Sequence, residues 1–299
     1  MKKSTLGIIL ALSSALFWST MGSISRGLNS YGFGAFEVVV VRLGIGFAAT
    51  ALYLLFFKRE LFKIKIKDLW CFFGTGIASL FLFSICYFNS LNYVTISTAT
   101  VLVYTSPIYV MILSMLFFKE RLTRVKIIAI LLAMVGIVLL CGTDLGGKPI
   151  GIILALASGF FFSLYTIFSR FAQIRGYNSL TIVLYTFLFS TVASAPFANW
   201  RIISRVATDF SWELLLLVIA MGIVTGFLPY VCNTRALELI EASRVPIIAT
   251  FEPVAASVLG FILFNEKITA LSAVGMLLVL LAVLVLNVKF KSRSTPSVK

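Results

Sequence analysis

Histidine is absent from this chain. That removes the side chain most used for acid–base work near neutral pH and the commonest ligand of transition metals. Acids are scarce as well, 11 Asp and Glu against 25 Lys and Arg. The three aspartates (Asp68, Asp144 and Asp209) fall in loops or at the edges of apolar runs, so no carboxylate pair supports an aspartyl mechanism. Neither HExxH nor a phosphate-binding P-loop occurs. An intramembrane enzyme therefore lacks its constellation, and an ATP-driven pump would need a partner to supply the nucleotide site. The four cysteines, Cys71, Cys86, Cys141 and Cys232, lie in or beside apolar runs without CxxC spacing. They read as packing thiols, not as disulfides or zinc ligands. No metal and no cofactor is expected.

Charge of either sign is also thin. Charged residues make up 12% and hydrophobic residues 60%, with a mean hydropathy of +1.06. Soluble domains carry about twice that charge, about 25%. The composition is that of an all-α integral membrane protein with no room for a large soluble domain. The net charge of +14 would suit a nucleic-acid binder, but Lys and Arg sit between the apolar runs, where they report topology. No nucleic-acid partner is expected; the lipid bilayer is.

Runs of about 20 apolar residues mark membrane-spanning helices. Ten are read: 5–26, 35–57, 68–88, 93–118, 123–142, 149–171, 177–198, 212–234, 244–264 and 268–288. The first resembles a signal peptide, but it continues past Trp18 without a small-residue cleavage motif, so a retained helix is expected. The longest loop is 199–211. With the N-terminus inside, 19 Lys and Arg fall in inner segments and 5 in outer ones, Arg42 lying within a span. Both termini are therefore expected in the cytoplasm.

The chain repeats itself. Gly7, Ser19, Ser25 and Arg26 match Gly151, Ser163, Ser169 and Arg170 at an offset of 144. Gly76, Leu82, Leu91, Ser97, Pro107, Phe118, Glu120 and Thr123 match Gly222, Leu228, Leu237, Ser243, Pro253, Phe264, Glu266 and Thr269 at an offset of 146. Each half holds five spans, an odd number, so the halves are inverted in the membrane. Such repeats place substrate sites near the midplane between them. The division expected is 1–146, 147–290 and a disordered cytoplasmic tail, 291–299.

Polar residues at membrane depth are the candidate site. Glu252 is the one charge in the central third of its span, and its counterpart in the first half is Ser106. A buried carboxylate needs a partner, a cavity or a task. Here it is read as binding a substrate amine or carrying a proton, the plain alternative being a structural hydrogen bond. Arg42 lies about 7 residues into the second span, about 10 Å deep. It is read as contacting a substrate carboxylate, pairing with Glu252 or snorkelling outward. Trp18 lies well inside the first span, as a cavity wall or as packing. Tyr87, Asn89, Tyr104, Ser106, Tyr165, Tyr230 and Asn233 supply hydroxyls and amides for a polar path. Trp70, Trp200 and Trp212 read as interfacial anchors and Glu37 as interfacial. Gly222 and Gly226 form a helix-packing pair. Glu120 and Glu266 read as solvated caps beside turns, or as gates whose charge pairs exchange between states.

The segments Asn89-SLNYVTISTATVLVYTSPIYVMILSMLFFKERLT and Arg235-ALELIEASRVPIIATFEPVAASVLGFILFNEKIT resemble the EamA repeat of the drug/metabolite transporter superfamily. They share a small/Ser stretch, a mid-helix Pro, an aliphatic run and a terminal Glu with a nearby Thr. Trp18 with Ser19 resembles the first-helix Trp-small pair, and Arg42 the second-helix Arg. Asn89 and Ser90 depart from the usual Ala of the first repeat, and Phe162 replaces a Trp in the second. The resemblance implies a ten-helix secondary transporter that exports amino acids or related compounds without ATP. A multidrug, cation or nucleotide-type transporter of the same fold is the alternative. The substrate-binding set carried forward is Glu252, Arg42, Trp18, Ser19, Tyr104, Ser106, Asn89, Tyr230 and Asn233, with a small-molecule substrate and the proton as a candidate coupling ion.

Overall fold

The computed structural model describes residues 3–142, 147–208 and 211–287. The tail expected at 291–299 lies outside the described residues. Among the described residues ten apolar helices cross the molecule: α1 (Lys3–Ser30), α2 (Ala35–Phe57), α3 (Ile66–Ser90), α4 (Ile96–Phe118), α5 (Arg124–Cys141), α6 (Pro149–Ile174), α7 (Ser179–Phe197), α9 (Trp212–Leu239), α10 (Arg244–Phe264) and the shorter α11 (Ala270–Asn287). One further helix, α8 (Trp200–Thr208), lies in the longest loop. No strand occurs among the described residues; Val94 and Gly147 form an isolated bridge. Side chains such as Phe56, Phe57, Leu116, Phe261 and Leu284 are exposed around the bundle, as lipid contact requires. The chain is an all-α integral membrane protein built as two inverted five-helix repeats.

The repeat is visible in the irregularities. Proline lacks an N–H and its ring clashes with the carbonyl four residues back. Accordingly α4 breaks after Val103, four before Pro107, and α10 breaks after Ala249, four before Pro253. Both α3 and α9 carry a π-helical stretch, Gly74–Phe81 and Ile223–Phe227. Lys119 and Asn265, again 146 apart, end α4 and α10 in the left-handed region at φ 54° and 53°. Gly7 packs on Leu239 and Ile240, and Gly151 packs on Tyr93 and Val94. Each half thus seats its first helix on the end of the other half's third helix.

The ends of the helices define two faces. One gathers the basic segments around Lys58–Lys67, Lys119–Lys126, Arg170–Arg175 and Arg235–Arg244. The other gathers Arg26, Cys141, Lys148, α8 and Glu266. Where a loop was expected at 199–211, α8 places Ile202, Ile203 and Val206 against a cluster containing Leu28, Phe33, Val38 and Met221. Its apolar residues fall on one helical face and its arginines outside it, which makes a helix lying on the surface. The Gly222 and Gly226 pair packs as expected: a Cβ on Gly226 would sit 2.8 Å from the carbonyl oxygen of Arg42, and one on Gly222 would overlap Ile45. Helices α2 and α9 therefore touch at the backbone, which fixes the height of Arg42.

Candidate transport site

A cavity of about 560 Å³ enters from the face opposite the basic one, between α1, α4, α5 and α10. Arg26, Ser97 and Glu266 line its mouth; Trp18, Tyr104 and Glu252 line its floor. It continues into a chamber of about 180 Å³ walled by Trp18, Met21, Arg42, Phe83, Tyr87, Thr100, Tyr104, Phe162, Tyr230 and Glu252. A smaller recess of about 30 Å³ lies beyond, lined by Ser106, Thr166, Asn233 and again Glu252. The three spaces meet around Glu252 and Trp18.

The break in α10 puts Glu252 there. Glu252 starts the second segment of the helix, one residue before Pro253, so its carboxylate faces the gap between segments. The phenol of Tyr104, at the matching break in α4, interacts with it. Arg42 is buried, with 5% of its surface exposed. Its Nη1 donates to the thioether of Met21 at 2.9 Å, and its Nε has no partner. The sequence left open pairing with Glu252 or snorkelling; burial excludes snorkelling, and no ion pair joins Arg42 to Glu252 among the described residues. Two opposite charges therefore share one chamber at membrane depth without neutralising each other at contact. A charge in that position needs compensation.

Trp18 and Phe162 are equivalent in the two halves and meet edge-to-face at 6.5 Å, so the pseudo-two-fold axis passes beside the chamber. Trp18 also packs on Tyr230 at 5.3 Å, and Tyr230 on Tyr165 and Phe187. The Tyr165 hydroxyl shares a 2.5 Å hydrogen bond with Thr234. Ser19 lines the wide cavity but donates to the Leu16 carbonyl at 2.7 Å, a back-bond that accompanies the break in α1 after it. The side-chain amide oxygen (Oδ1) of Asn233 has no partner among the described residues, and the residue lines the recess. Asn89 stands apart: it is exposed, its amide donates to the Ile85 carbonyl at 2.8 Å, and it lines none of these spaces. Met21, Thr100 and Phe83 wall the chamber without having been singled out; the one signal available in the sequence was the helical spacing of Met21, three residues from Trp18.

The basic face is closed. Glu120, read as a solvated cap or a gate, is nearly buried: its side chain is 10% exposed. It accepts from the backbone N–H of Ala242 at 2.7 Å, from that of Ser243 at 3.2 Å and from the Ser243 hydroxyl. The solvated reading fails for it because the left-handed turn at Lys119 folds the carboxylate under the start of α10. Lys126, counted from sequence only as a topological charge, is buried between Glu120 at 3.5 Å and Glu241 at 2.9 Å. Arg170 donates to the Leu237 carbonyl at 2.6 Å and Gln173 to that of Thr234 at 2.7 Å. Asp68 pairs with Arg175 at 3.1 Å and accepts from Tyr177 at 2.8 Å. Desolvation raises the Tyr177 phenol above its ordinary range, and the hydrogen bond to Asp68 adds to the rise. Glu37 is buried as well and accepts from the Asn199 N–H at 2.6 Å.

A bundle of inverted repeats around a one-sided polar cavity is the architecture of a membrane transporter. The chain belongs to the EamA-like transporter family, whose model matches it twice, over residues 5–142 and 149–288. Relatives agree. An "Uncharacterized transporter" of Archaeoglobus fulgidus is 29% identical over 74% of this chain and 78% of its own. A second from that organism is 27% identical over 89% and 91%. The pseudopaline exporter CntI of Pseudomonas aeruginosa is 24% identical over 94% and 95%. A crystal structure superposes with a TM-score of 0.77 at 19% identity, covering 96% of this chain and 97% of the other, a likeness of fold alone. The protein is a transporter of a small molecule and not an enzyme.

Proposed function

We propose that this chain is a secondary transporter that exports a zwitterionic metabolite, an amino acid or a related compound, across the cell membrane by alternating access. The observation that carries the reading is the shared chamber of Glu252 and Arg42. A substrate bearing both an ammonium and a carboxylate compensates both chamber charges at once, which neither residue does for the other by contact. Glu252 takes the amine. Arg42 takes the carboxylate, with the planar donor fork suited to it. Trp18 and Tyr230 flank the substrate's carbon skeleton, Tyr104 orients Glu252, and Ser19, Ser106 and Asn233 serve the polar path. When no substrate is bound, a proton on Glu252 is the coupling ion. The basic face is the cytoplasmic one, with both termini there. Export also agrees with CntI, an exporter by name. The halves divide near residue 146.

A second reading has one observation in its favour. The aromatic lining around a single carboxylate also suits an organic cation by cation–π contact; against it stands Arg42, which repels one. Proteoliposomes loaded with labelled amino acids, N-acylated amino acids or organic cations, assayed with and without a pH gradient, separate the two. Zwitterion flux that fails when either charge of the substrate is blocked is the expected result. Flux of cations alone, or none across the panel, would sink the zwitterion reading.

A further inference from the structure

The inverted repeat makes each contact that closes the basic face a template for a contact on the open face. On the closed side Glu120 sits in a cradle of three donors, the N–H of Ala242, the N–H of Ser243 and the Ser243 hydroxyl. The same offset that relates Glu120 to Glu266 relates Ala242 to Ile96 and Ser243 to Ser97. Ile96 and Ser97 begin α4, and their backbone N–H groups belong to the first turn of a helix, which has no intrahelical acceptor for them. Ser97 and Glu266 both line the mouth of the open cavity. Glu266 is not docked there; it pairs with Arg26 at 2.6 Å, with both side chains about half exposed. Arg26 is itself the equivalent of Arg170, which on the closed side donates to the Leu237 carbonyl. The equivalent of Leu237 is Leu91.

We propose that the transporter closes its open face by seating Glu266 in the cradle of Ile96 and Ser97, while Glu120 leaves Ala242 and Ser243 and opens the basic face. Arg26 then exchanges Glu266 for the Leu91 carbonyl, and Arg170 releases Leu237 to pair with Glu120. The two glutamates are alternating latches, and only one is seated at a time. The inference rests on the alternating-access reading but not on the identity of the substrate.

Two asymmetries bias the exchange. Lys126 reaches Glu120 and Glu241 on the basic face; at the equivalent positions the other face offers Ser272 and Thr95. The seated Glu120 thus has a cationic partner that the seated Glu266 lacks. That difference accounts for the basic face being the closed one without substrate. A hydrogen bond to a charged group contributes enough that its loss shifts a two-state equilibrium by roughly tenfold or more.

The test needs no substrate. Ser257 lines the open cavity, so Ser257→Cys in a background with all four cysteines replaced by alanine reports its opening through the rate of maleimide labelling of purified protein in nanodiscs. Glu120→Gln, and the milder Ser243→Ala, should slow labelling because they unseat the closed latch. The Ser97 side chain makes no hydrogen bond in the open state among the described residues, so Ser97→Ala alone should leave labelling fast, and added to Glu120→Gln it should restore fast labelling. Unchanged labelling in both Glu120→Gln and Ser243→Ala, or failure of Ser97→Ala to reverse the slowing, would overturn the latch exchange. Since labelling is read without transport, that failure is separable from failure of the zwitterion site, which the flux assays report.

Discussion

At the scale of single residues, the chamber turns on two charges. Arg42→Lys keeps the charge but loses the fork, and the shorter reach of three rotatable donors cannot grip a carboxylate in the same plane. The half-saturating substrate concentration should rise roughly tenfold, about the loss of one charge-assisted hydrogen bond, while membrane insertion stays intact. Unchanged affinity and rate in Arg42→Ala would remove Arg42 from the site. Glu252→Gln separates the two tasks assigned to Glu252. If it carries the proton, flux should lose its dependence on the pH gradient while counterflow exchange persists; if it only holds an amine, half-saturation should rise with the gradient dependence intact. Transport with an unaltered affinity and an unaltered pH profile would leave Glu252 a packing residue. Both charges were legible in the sequence, because a charge in an apolar run is a contrast. Met21, Thr100 and Phe162 were not read as chamber wall, because apolar and small residues in such a run carry no contrast. Asn89 shows the opposite failure: a polar residue near a helix end satisfies itself on its own backbone and never turns inward.

At the scale of elements, prolines and small residues decided what the apolar runs could not. Hydropathy fixes ten helices and their ends within a few residues, but it is blind to the breaks that give Glu252 and Tyr104 their orientation. Pro107 and Pro253 were visible, and the left-handed ends at Lys119 and Asn265 were not, since neither is glycine. The helix α8 was missed because its two arginines break up a short stretch; the face that packs Ile202 and Ile203 emerges only against neighbours from distant parts of the chain. Small residues also allow a close backbone-to-backbone approach. A Cβ on Gly136 would stand 2.7 Å from the Gly275 carbonyl oxygen, and one on Gly275 would stand 2.6 Å from that of Gly136. Helices α5 and α11 therefore meet backbone to backbone. Gly275→Leu must push them apart, at a cost of about 1–3 kcal/mol or more. A lowered unfolding temperature in detergent is expected, with substrate affinity of the folded fraction unchanged, because neither glycine lines the chamber. Val274→Leu, at an exposed neighbouring position, is the control and should leave the unfolding temperature where it is. Equal stability of Gly275→Leu and Val274→Leu would show that the contact is dispensable.

At the scale of the molecule, sequence symmetry and charge asymmetry speak to different things. The repeat at 144 and 146 residues gives the inverted architecture, but it treats the two faces as equals and cannot say which is shut. The folded chain distinguishes them through Lys126, whose burial between two glutamates has no counterpart opposite. The Lys and Arg imbalance, 19 against 5, is what supports the proposed cytoplasmic placement of the shut face, because a surplus of positive charge is retained on that side during insertion. Lys63 and Arg205 make the assignment measurable. Both are exposed, and five membrane helices lie between them in the chain, an odd number, so they must lie on opposite sides of the bilayer. In a cysteine-free background, a cysteine at position 205 should react with an impermeant maleimide added to intact cells, and one at position 63 only after the membrane is breached. Reaction at 63 with protection at 205 would invert the orientation and turn the open cavity toward the cytoplasm. Reaction at both in intact cells would contradict the odd number of crossings between them, and with it the pairing of five-helix halves on which the site, the latches and the direction of export all depend.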